Sequence, residues 1–569
     1  MSIFSAPGPS LPTDADAEPR QALLRKVRES HSWDWSWPPG CATLRRLPSG
    51  DRYALGFIAE SIALQGRTRQ NRAALSLDGT LLPADPPPPA KGDWVVAFDN
   101  LGDIAADAPT SHPRSIDAYA DYFVELPRPP LVDRLRARPE DADALFAWQR
   151  VAGANPMTLR CATRLPDDFA VSDALWQRVV GRSSLAATMD EGRLFEADYT
   201  LLHGAITNRY LGRQKYLCGA RGLFTTASGP LLPVAIQLEP GGRVFAPGDG
   251  AAWSMAKYCL QVADANVHET MEHLGATHMV MEAVGIAARR QLAAAHPVMV
   301  LLEHHLVGTF AINESAKTNL IAPEGVIDRV FSARIDVAAS LVRVALDRFS
   351  LQDRAPSLEL RARGVDDPSR LPEYPYRDDA LRVYGAIERF VEGFVRAYYP
   401  DDAAVRGDPE LRAFVGELGS PIGGALRGVR PVETVDALVT LLSNVVHVAS
   451  AQHAAVNFPQ YDCFGWGANA AGACWAPPPG EGATEAELLA MMPTWDCLML
   501  QTDTVFQLAG IYYKRLGDYA LRDPRLDDLV ARFNADLADV ERRIEADDAG
   551  RRMSYRYLLP SKIPPSINI

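Results

Sequence analysis

The stretch HETMEHLGATH, residues 268–278, carries three histidines at intervals of five residues. In a regular α-helix five residues turn through about 500°, so neighbouring histidines would lie about 140° apart and could not bind one ion. A π-type bulge brings positions i and i+5 onto one face of the helix, and such bulges are frequent at functional sites. The spacing therefore predicts a distorted helix at a metal site, and it leaves open which neighbouring pair of histidines is used.

A second pair of candidate ligands, His453 and Asn457, stands in the stretch HAAVN. Residues four apart lie about 40° apart on an ordinary helix, so both side chains can face one point without distortion. Asparagine is a poor ligand for zinc, but a weak oxygen donor suits an iron site that changes oxidation state. This pair therefore favours iron over zinc.

The composition limits the class of protein. The chain has 569 residues, of which 47% are hydrophobic and 23% charged, as in soluble globular proteins. Its net charge of -13 repels nucleic acid, and its seven cysteines, an odd number without a C-x-x-C pair, disfavour disulfide and zinc-ribbon frameworks. No secretory signal or spanning apolar stretch is evident, so we expect a cytoplasmic protein with at most peripheral membrane contact.

Hydrophobic periodicity predicts a mainly helical second half. Long amphipathic helices are predicted over residues 255–294, 380–399 and 432–456, and short strands with a hairpin over 222–245. Within a helix predicted over 377–399, a core-facing stripe recurs at spacings of three and four, formed by Leu381, Tyr384, Ile387, Val391 and Val395.

Five stretches together resemble the lipoxygenase family: HLGATH (273–278), HPVMVLL (296–302), AINESAK (311–317), SAQHAAVNFPQYD (450–462) and the ending LPSKIPPSINI (559–569). The resemblance implies a large, mainly α catalytic domain over 127–569, with long central helices around a non-haem iron and a few short β-hairpins. Before it we expect a mobile tail over 1–20 and an extension over 21–126 that packs on the catalytic domain. The N-terminal β-barrel of plant and animal members has no counterpart pattern here.

The resemblance also implies one non-haem iron (Fe²⁺/Fe³⁺) and its ligands. In the family pattern these correspond to His273, His278, His453, Asn457 and the terminal carboxylate of Ile569. We expect the remaining histidines of this region to be buried residues with satisfied hydrogen bonds, namely His268, His296, His304, His305 and His447.

The activity implied by the resemblance is dioxygenation of polyunsaturated fatty acids of the linoleic or arachidonic type. The iron and its hydroxide take a hydrogen from the substrate, and O2 then adds to give a hydroperoxide, so no side chain serves as acid or base. One alternative is a fatty-acid hydroperoxide isomerase on the same fold, and a less favoured one is a non-catalytic lipid-binding protein. We expect a monomer.

The resemblance further implies a long apolar substrate pocket beside the metal. Leu320, Ile327 and Leu508 match aliphatic residues that clamp the pentadiene of the substrate. Val330 and Phe331 match the pair that sets the depth of the pocket, and the phenyl ring is expected to shorten it.

Two further pocket residues concern product chirality and the link to the metal. Ala316 stands where alanine accompanies S products and glycine accompanies R products, so we expect an S hydroperoxide. Glu269 stands where the family has a Gln or Glu that connects the metal ligands with the cavity, although a solvated or capping carboxylate is an equally good interpretation. The family's carboxylate-binding arginine has no counterpart around residues 468–472.

Overall fold

The computed structural model describes residues 8–14, 17–77, 80–81 and 108–569. Of the tail predicted over 1–20, residues 1–7, 15 and 16 lie outside the described residues. The backbone N–H of Ser10 donates to the carbonyl of Ala295 at 2.7 Å, and a helix, Ala17–Ser30, begins before the predicted end of the tail.

Two long helices lie at the centre of the protein, and both change from α to π geometry along their length. The first central helix comprises Ala251–Val267, the π-helix His268–Met279, and Val280–Gln291. The second comprises Val435–His447, the π-helix Val448–Gln452, and His453–Asn457. The distortion predicted from the five-residue histidine spacing is confirmed.

Shorter helices surround this pair, and the predicted mainly α architecture is confirmed. The α-helices are Leu55–Ala74, Pro130–Ala137, Ala142–Ala152, Asp173–Val179, Leu185–Asp190, Pro297–Leu302, Thr309–Ser315, Val326–Val330, Ile335–Arg348, Pro356–Arg363, Pro375–Tyr398, Asp402–Gly407, Pro409–Gly419, Gln460–Phe464, Glu485–Met491, Trp495–Leu508 and Asp527–Asp548. A third π-helix is Ala316–Leu320, and the 3-10 turns are Ser49–Asp51, Asp117–Tyr122, Pro139–Asp141, Thr200–Leu202, Glu303–His305, Leu351–Asp353, Pro524–Leu526 and Pro560–Lys562.

The helix Pro375–Tyr398 carries the predicted core stripe with one correction. Four of its five apolar positions are buried, but the Leu381 residue is 37% exposed. The five positions span an arc of about 120° around the helix, and Leu381 lies at one end of that arc.

The predicted hairpin over 222–245 is part of a larger sheet. Five antiparallel strands lie in the order Val244–Phe245, Leu232–Gln237, Arg221–Thr225, Leu194–Asp198 and Arg160–Cys161. The hairpin is extended by two strands, Leu194–Asp198 and Arg160–Cys161, which come from earlier segments of the chain. Two-stranded ribbons pair Trp33–Asp34 with Thr43–Leu44, Ser76–Leu77 with Thr80–Leu81, and Arg209–Tyr210 with Arg213–Gln214.

The second central helix continues into Gln460–Phe464, and together they form the segment Val435–Phe464. This segment is long and apolar enough to cross a membrane by length and composition alone. Within the folded chain, however, 83% of its most apolar window is buried, so it serves as a core helix.

The π-helix of the first central helix packs directly on Ile335–Arg348. At the contact stands Gly275, where an added Cβ would lie 2.6 Å from Cβ of Ala345 and 3.1 Å from the carbonyl oxygen of Thr270. Both neighbours are short or belong to the backbone, so they cannot move aside cheaply. The two helices can approach this closely only because position 275 has no side chain.

Replacing this glycine is expected to destabilise the protein. Gly275→Ala overpacks the contact and should lower the free energy of unfolding by about 1–3 kcal/mol, seen as a lower Tm in calorimetry. The matched control is Gly416→Ala on the exposed side of Pro409–Gly419, where a Cβ meets nothing within 4 Å. That control should gain about 0.5–1 kcal/mol from helix propensity. Equal Tm values for both variants would contradict the close-contact account.

Candidate metal centre

Three buried imidazoles meet where the central helices cross. His273 and His278 come from the first helix, and His453 comes from the second. Nε2 of His273 lies 3.3 Å from Nε2 of His278 and 3.4 Å from Nε2 of His453. All three ligand atoms lie within 4.8 Å of one another, so this triad can hold a metal ion.

The spacing of the triad and the low pKa values of two of its members suit a cation. Two nitrogen ligands at about 2.1 Å from one ion and at right angles lie about 3.0 Å apart, close to the separations observed. Burial, with His273 nearby, lowers the pKa of His278 to about 3. Burial and the neighbouring imidazoles likewise lower the pKa of His453 well below its ordinary value. Both are therefore neutral at pH 7 and available as ligands.

A chain of buried hydrogen bonds orients His278. Its Nδ1 lies 2.8 Å from Oδ1 of Asn313, and Nδ2 of Asn313 donates to Oε2 of Glu282 at 2.9 Å. The other oxygen of Glu282 accepts from the backbone N–H of Leu44 at 2.7 Å. Because the Asn313 oxygen must accept, Nδ1 of His278 carries the proton and Nε2 is the free donor atom for a metal. Sequence reasoning missed Asn313, although it lies in the motif AINESAK.

The two other predicted ligands lie next to the triad. Asn457 follows His453 by one helical turn and is fully buried; its Nδ2 donates to the Leu508 carbonyl at 2.8 Å. Its Oδ1 accepts from Nε2 of Gln460 at 3.0 Å. Ile569 is also fully buried, and its backbone hydrogen-bonds the imidazole of His453.

The last residues of the chain are held in place by the loop around His305. Nδ1 of His305 lies 2.5 Å from the carbonyl oxygen of Pro565, and the hydroxyl of Ser566 donates to the Val307 carbonyl at 2.8 Å. At Gly308 a Cβ would meet Cβ of Asn568 at 2.9 Å. These contacts direct the tail towards the triad.

His268 and His296, which are not in the triad, have hydrogen-bond partners elsewhere. Nε2 of His268 donates to the Val456 carbonyl at 2.8 Å, and Nε2 of His296 lies 2.9 Å from the carboxylate of Asp408. His268, the first histidine of the five-residue series, is therefore engaged away from the triad. The pair that shares the site is His273 and His278.

A mainly apolar cavity adjoins the triad. Its described lining comprises Ala265, Glu269, Leu320, Val326, Ile327, Val330, Phe331, Gln460, Phe464, Gly472, Gln501, Thr504, Val505 and Leu508. Six of the seven pocket residues predicted from the sequence are in this lining. The seventh, Ala316, is buried at the start of the π-helix Ala316–Leu320 and is outside the lining.

Some of the missed lining residues had a signal in the sequence. Ala265 precedes Glu269 by one helical turn, and Thr504 precedes Leu508 by one turn, so helical spacing places each on the face of a predicted residue. Gly472 had no such signal, because only the tertiary fold brings its loop to the cavity.

Glu269 connects the cavity with the metal centre. One carboxylate oxygen lies 3.2 Å from Nδ1 of His273, while the side chain also lines the cavity. Burial by itself raises the pKa of Glu269, but the neighbouring His273 outweighs burial and leaves the pKa below its ordinary value. None of the fourteen lining residues is basic, so the described part of the cavity suits an uncharged hydrocarbon chain.

Comparison with known proteins identifies the family. The sequence model of the Lipoxygenase family matches residues 114–558. The chain belongs to the lipoxygenase family. As a lipoxygenase it is an enzyme, an oxidoreductase of the dioxygenase type.

Its relatives include bacterial and animal lipoxygenases. A linoleate 9/13-lipoxygenase of Pseudomonas aeruginosa is 36% identical over 489 residues, which span 80% of this chain and 70% of that protein. The human polyunsaturated fatty acid lipoxygenase ALOX15B is 33% identical over 451 residues, spanning 75% of this chain and 65% of its own length. The rat hydroperoxide isomerase ALOXE3 is 34% identical over 446 residues, spanning 75% of this chain and 62% of its own.

Solved lipoxygenase structures share the fold along nearly the whole chain. The crystal structure of coral 8R-lipoxygenase has a TM-score of 0.86 at 26% identity and covers 99% of this chain and 83% of its own. A calcium-dependent 11R-lipoxygenase has a TM-score of 0.84 at 26% identity, with the same coverage.

The hydrogen bonds that orient His278 lead us to predict that Asn313 affects metal affinity. Asn313→Ala removes the acceptor that orients the imidazole and should weaken Fe²⁺ binding by about 10- to 100-fold. The measurement is a competition titration against a chelator, with Thr318→Ala, an exposed residue a few positions along the same segment, as control. Unchanged affinity in Asn313→Ala would show that the asparagine does not orient a ligand.

Proposed function

We propose that this lipoxygenase is a non-haem iron dioxygenase that converts polyunsaturated fatty acids and O2 into S-configured hydroperoxides, on substrates of the linoleic or arachidonic type. The observation that carries this proposal is the convergence of three buried imidazoles beside Glu269, a residue that lines an apolar cavity. An ion held there would lie beside a hydrocarbon chain in the cavity. Removal of a hydrogen atom from the pentadiene methylene of a fatty acid requires such an arrangement.

The proposed iron ligands are His273, His278, His453, Asn457 and the terminal carboxylate of Ile569. The first three converge, Asn457 lies one turn beyond His453, and the backbone of Ile569 contacts His453. A donor set of imidazoles with oxygen ligands fits iron better than a structural zinc. When bound, the iron supplies the one-electron oxidation that removes a hydrogen atom from the methylene of the pentadiene.

The side chains of the cavity position the substrate and exclude water. Leu320, Ile327 and Leu508 line it and are proposed to clamp the pentadiene. Val330 and Phe331 line the same cavity and are proposed to limit its depth. Because the walls are apolar, water is kept from the substrate radical while O2, which is itself apolar, can enter.

A hydroperoxide isomerase is the second candidate. It is favoured by the 34% identity to the rat isomerase, which is close to the identity with the dioxygenases. A non-catalytic lipid-binding protein would have no use for three converging imidazoles and is disfavoured by them.

Incubation with linoleate under air distinguishes these functions. We expect the purified protein to raise the conjugated-diene absorbance, whereas an isomerase would need added hydroperoxide and would consume it. A chain lacking Ile569 should lose both bound iron and rate, because one proposed ligand is removed. A tag at Met1 is the control and should leave both unchanged. Full iron content and rate without Ile569 would rule out the carboxylate ligand.

The proposed S configuration depends on Ala316. Its methyl group is proposed to restrict where O2 reaches the substrate radical, and Ala316→Gly should therefore increase the share of R hydroperoxide on a chiral column. Gly416→Ala, on a remote surface helix, should leave the enantiomer ratio of wild type unchanged. A ratio that stays the same in Ala316→Gly would remove this residue from the proposal.

A further inference from the structure

Lys215 is a fully buried lysine that touches the cavity wall from behind. Its Nζ donates to the carbonyl oxygens of Asp328 at 2.7 Å and of Phe331 at 2.9 Å. These carbonyls lie at the end of the helix Val326–Val330, which together with Phe331 contributes four residues to the cavity lining. The ammonium therefore ties down the end of one cavity wall.

Stability alone does not explain a lysine at this position. The Lys215 ammonium lies 6.0 Å from the ring centroid of Tyr210 and 5.6 Å from that of Trp475, and it forms no ion pair with a described carboxylate. By contrast, Lys257 lies 2.6 Å from Asp143. A buried cation without a carboxylate is costly, and an apolar side chain of similar length would avoid the cost.

On the side opposite Lys215, Val330 and Phe331 are closely packed against Gly472. A Cβ at Gly472 would lie 2.6 Å from the Val330 carbonyl oxygen and 2.9 Å from the ring of Phe331. The next backbone N–H, of Ser332, donates to the Gly472 carbonyl at 2.9 Å. Phe331 is thus fixed between the Gly472 loop and the hydrogen bond from Lys215.

We propose that Lys215 is a positioning residue that sets the depth of the cavity, and with it the length of acyl chain accepted and the carbon that is oxygenated. The inference rests on the proposed function, in which Val330 and Phe331 limit the cavity. Lys215 acts through the backbone of Phe331 and does not itself contact substrate.

Because the amine of Lys215 can lose its proton, the strength of its hydrogen bonds to Asp328 and Phe331 depends on pH. Burial lowers the pKa of Lys215 to about 7, although Cys497 and Asp328 oppose that shift and Arg213 adds to it. The phenol of Tyr210 faces the ammonium from the neighbouring strand. Above pH 7 the amine is mostly neutral and its hydrogen bonds to the two carbonyls lose their ionic component, so the wall is held less firmly.

The test compares Lys215→Met with Lys257→Met in the iron-loaded enzyme. We expect Lys215→Met to change the ratio of regioisomeric hydroperoxides from arachidonate by about fivefold or more, the effect of losing a hydrogen bond. Its iron content should match wild type. Calorimetric binding of myristate, palmitate, stearate and arachidate, which do not react, should shift in preference towards the longer chains. Lys257→Met should behave as wild type in every measurement.

The pH series gives a test that does not depend on a variant's folding. In wild type the regioisomer ratio should change as the pH crosses 7, and in Lys215→Met it should stay constant. An unchanged ratio and chain-length preference in Lys215→Met would overturn the proposal, and a wild-type ratio independent of pH would overturn its pH dependence. If Lys215→Met does not fold, the same measurements are made on Lys215→Gln, together with the pH series on wild type. If wild type forms no hydroperoxide, the proposed function fails, while saturated fatty-acid binding still tests Lys215.

Discussion

Three imidazole nitrogens from two helices must meet at one point, and the architecture of the central core follows from this constraint. His273 and His278 are five residues apart, so the first central helix must take π geometry for their Nε2 atoms to come within 3.3 Å. The π-helix packs against Ile335–Arg348, and the contact is close enough to require glycine at position 275. The convergence of the histidines is in this way linked to the packing of a neighbouring helix.

The triad is also connected outward in two directions by buried polar contacts. Behind His278, Asn313 and Glu282 extend the connection to the backbone of Leu44, in the N-terminal ribbon Trp33–Asp34 with Thr43–Leu44. Each side-chain polar group of Asn313 and Glu282 in this hydrogen-bond series has a partner, as burial demands. Towards the cavity, Glu269 contacts His273 and lines the cavity, so a single side chain connects the triad with the apolar cavity.

The cavity itself combines apolar lining with polar support placed behind it. Its surface offers no basic group, whereas Lys215 and Asn208 both donate to the Asp328 carbonyl from outside the wall. The lining can therefore remain apolar for a hydrocarbon chain while the backbone behind it is held by directional hydrogen bonds. The lining side chains make the cavity apolar, and the polar side chains behind them hold the backbone that gives the cavity its shape.

The sequence by itself determined the helical second half and the π distortion at residues 268–278, because these depend on periodicity and spacing within single segments. The family resemblance, rather than spacing, implied the residues that converge at the triad. The sequence could not choose between His268 and His278 from spacing alone; the tertiary structure directs His268 to Val456 and His278 to the triad. Only the tertiary structure decided that Asn313 supports His278, that Gly472 lines the cavity and that strands from residues 160–198 complete the sheet. It also decided how Ile569 reaches His453. Such contacts join segments far apart in the chain, and their formation depends on how whole elements pack rather than on any local pattern.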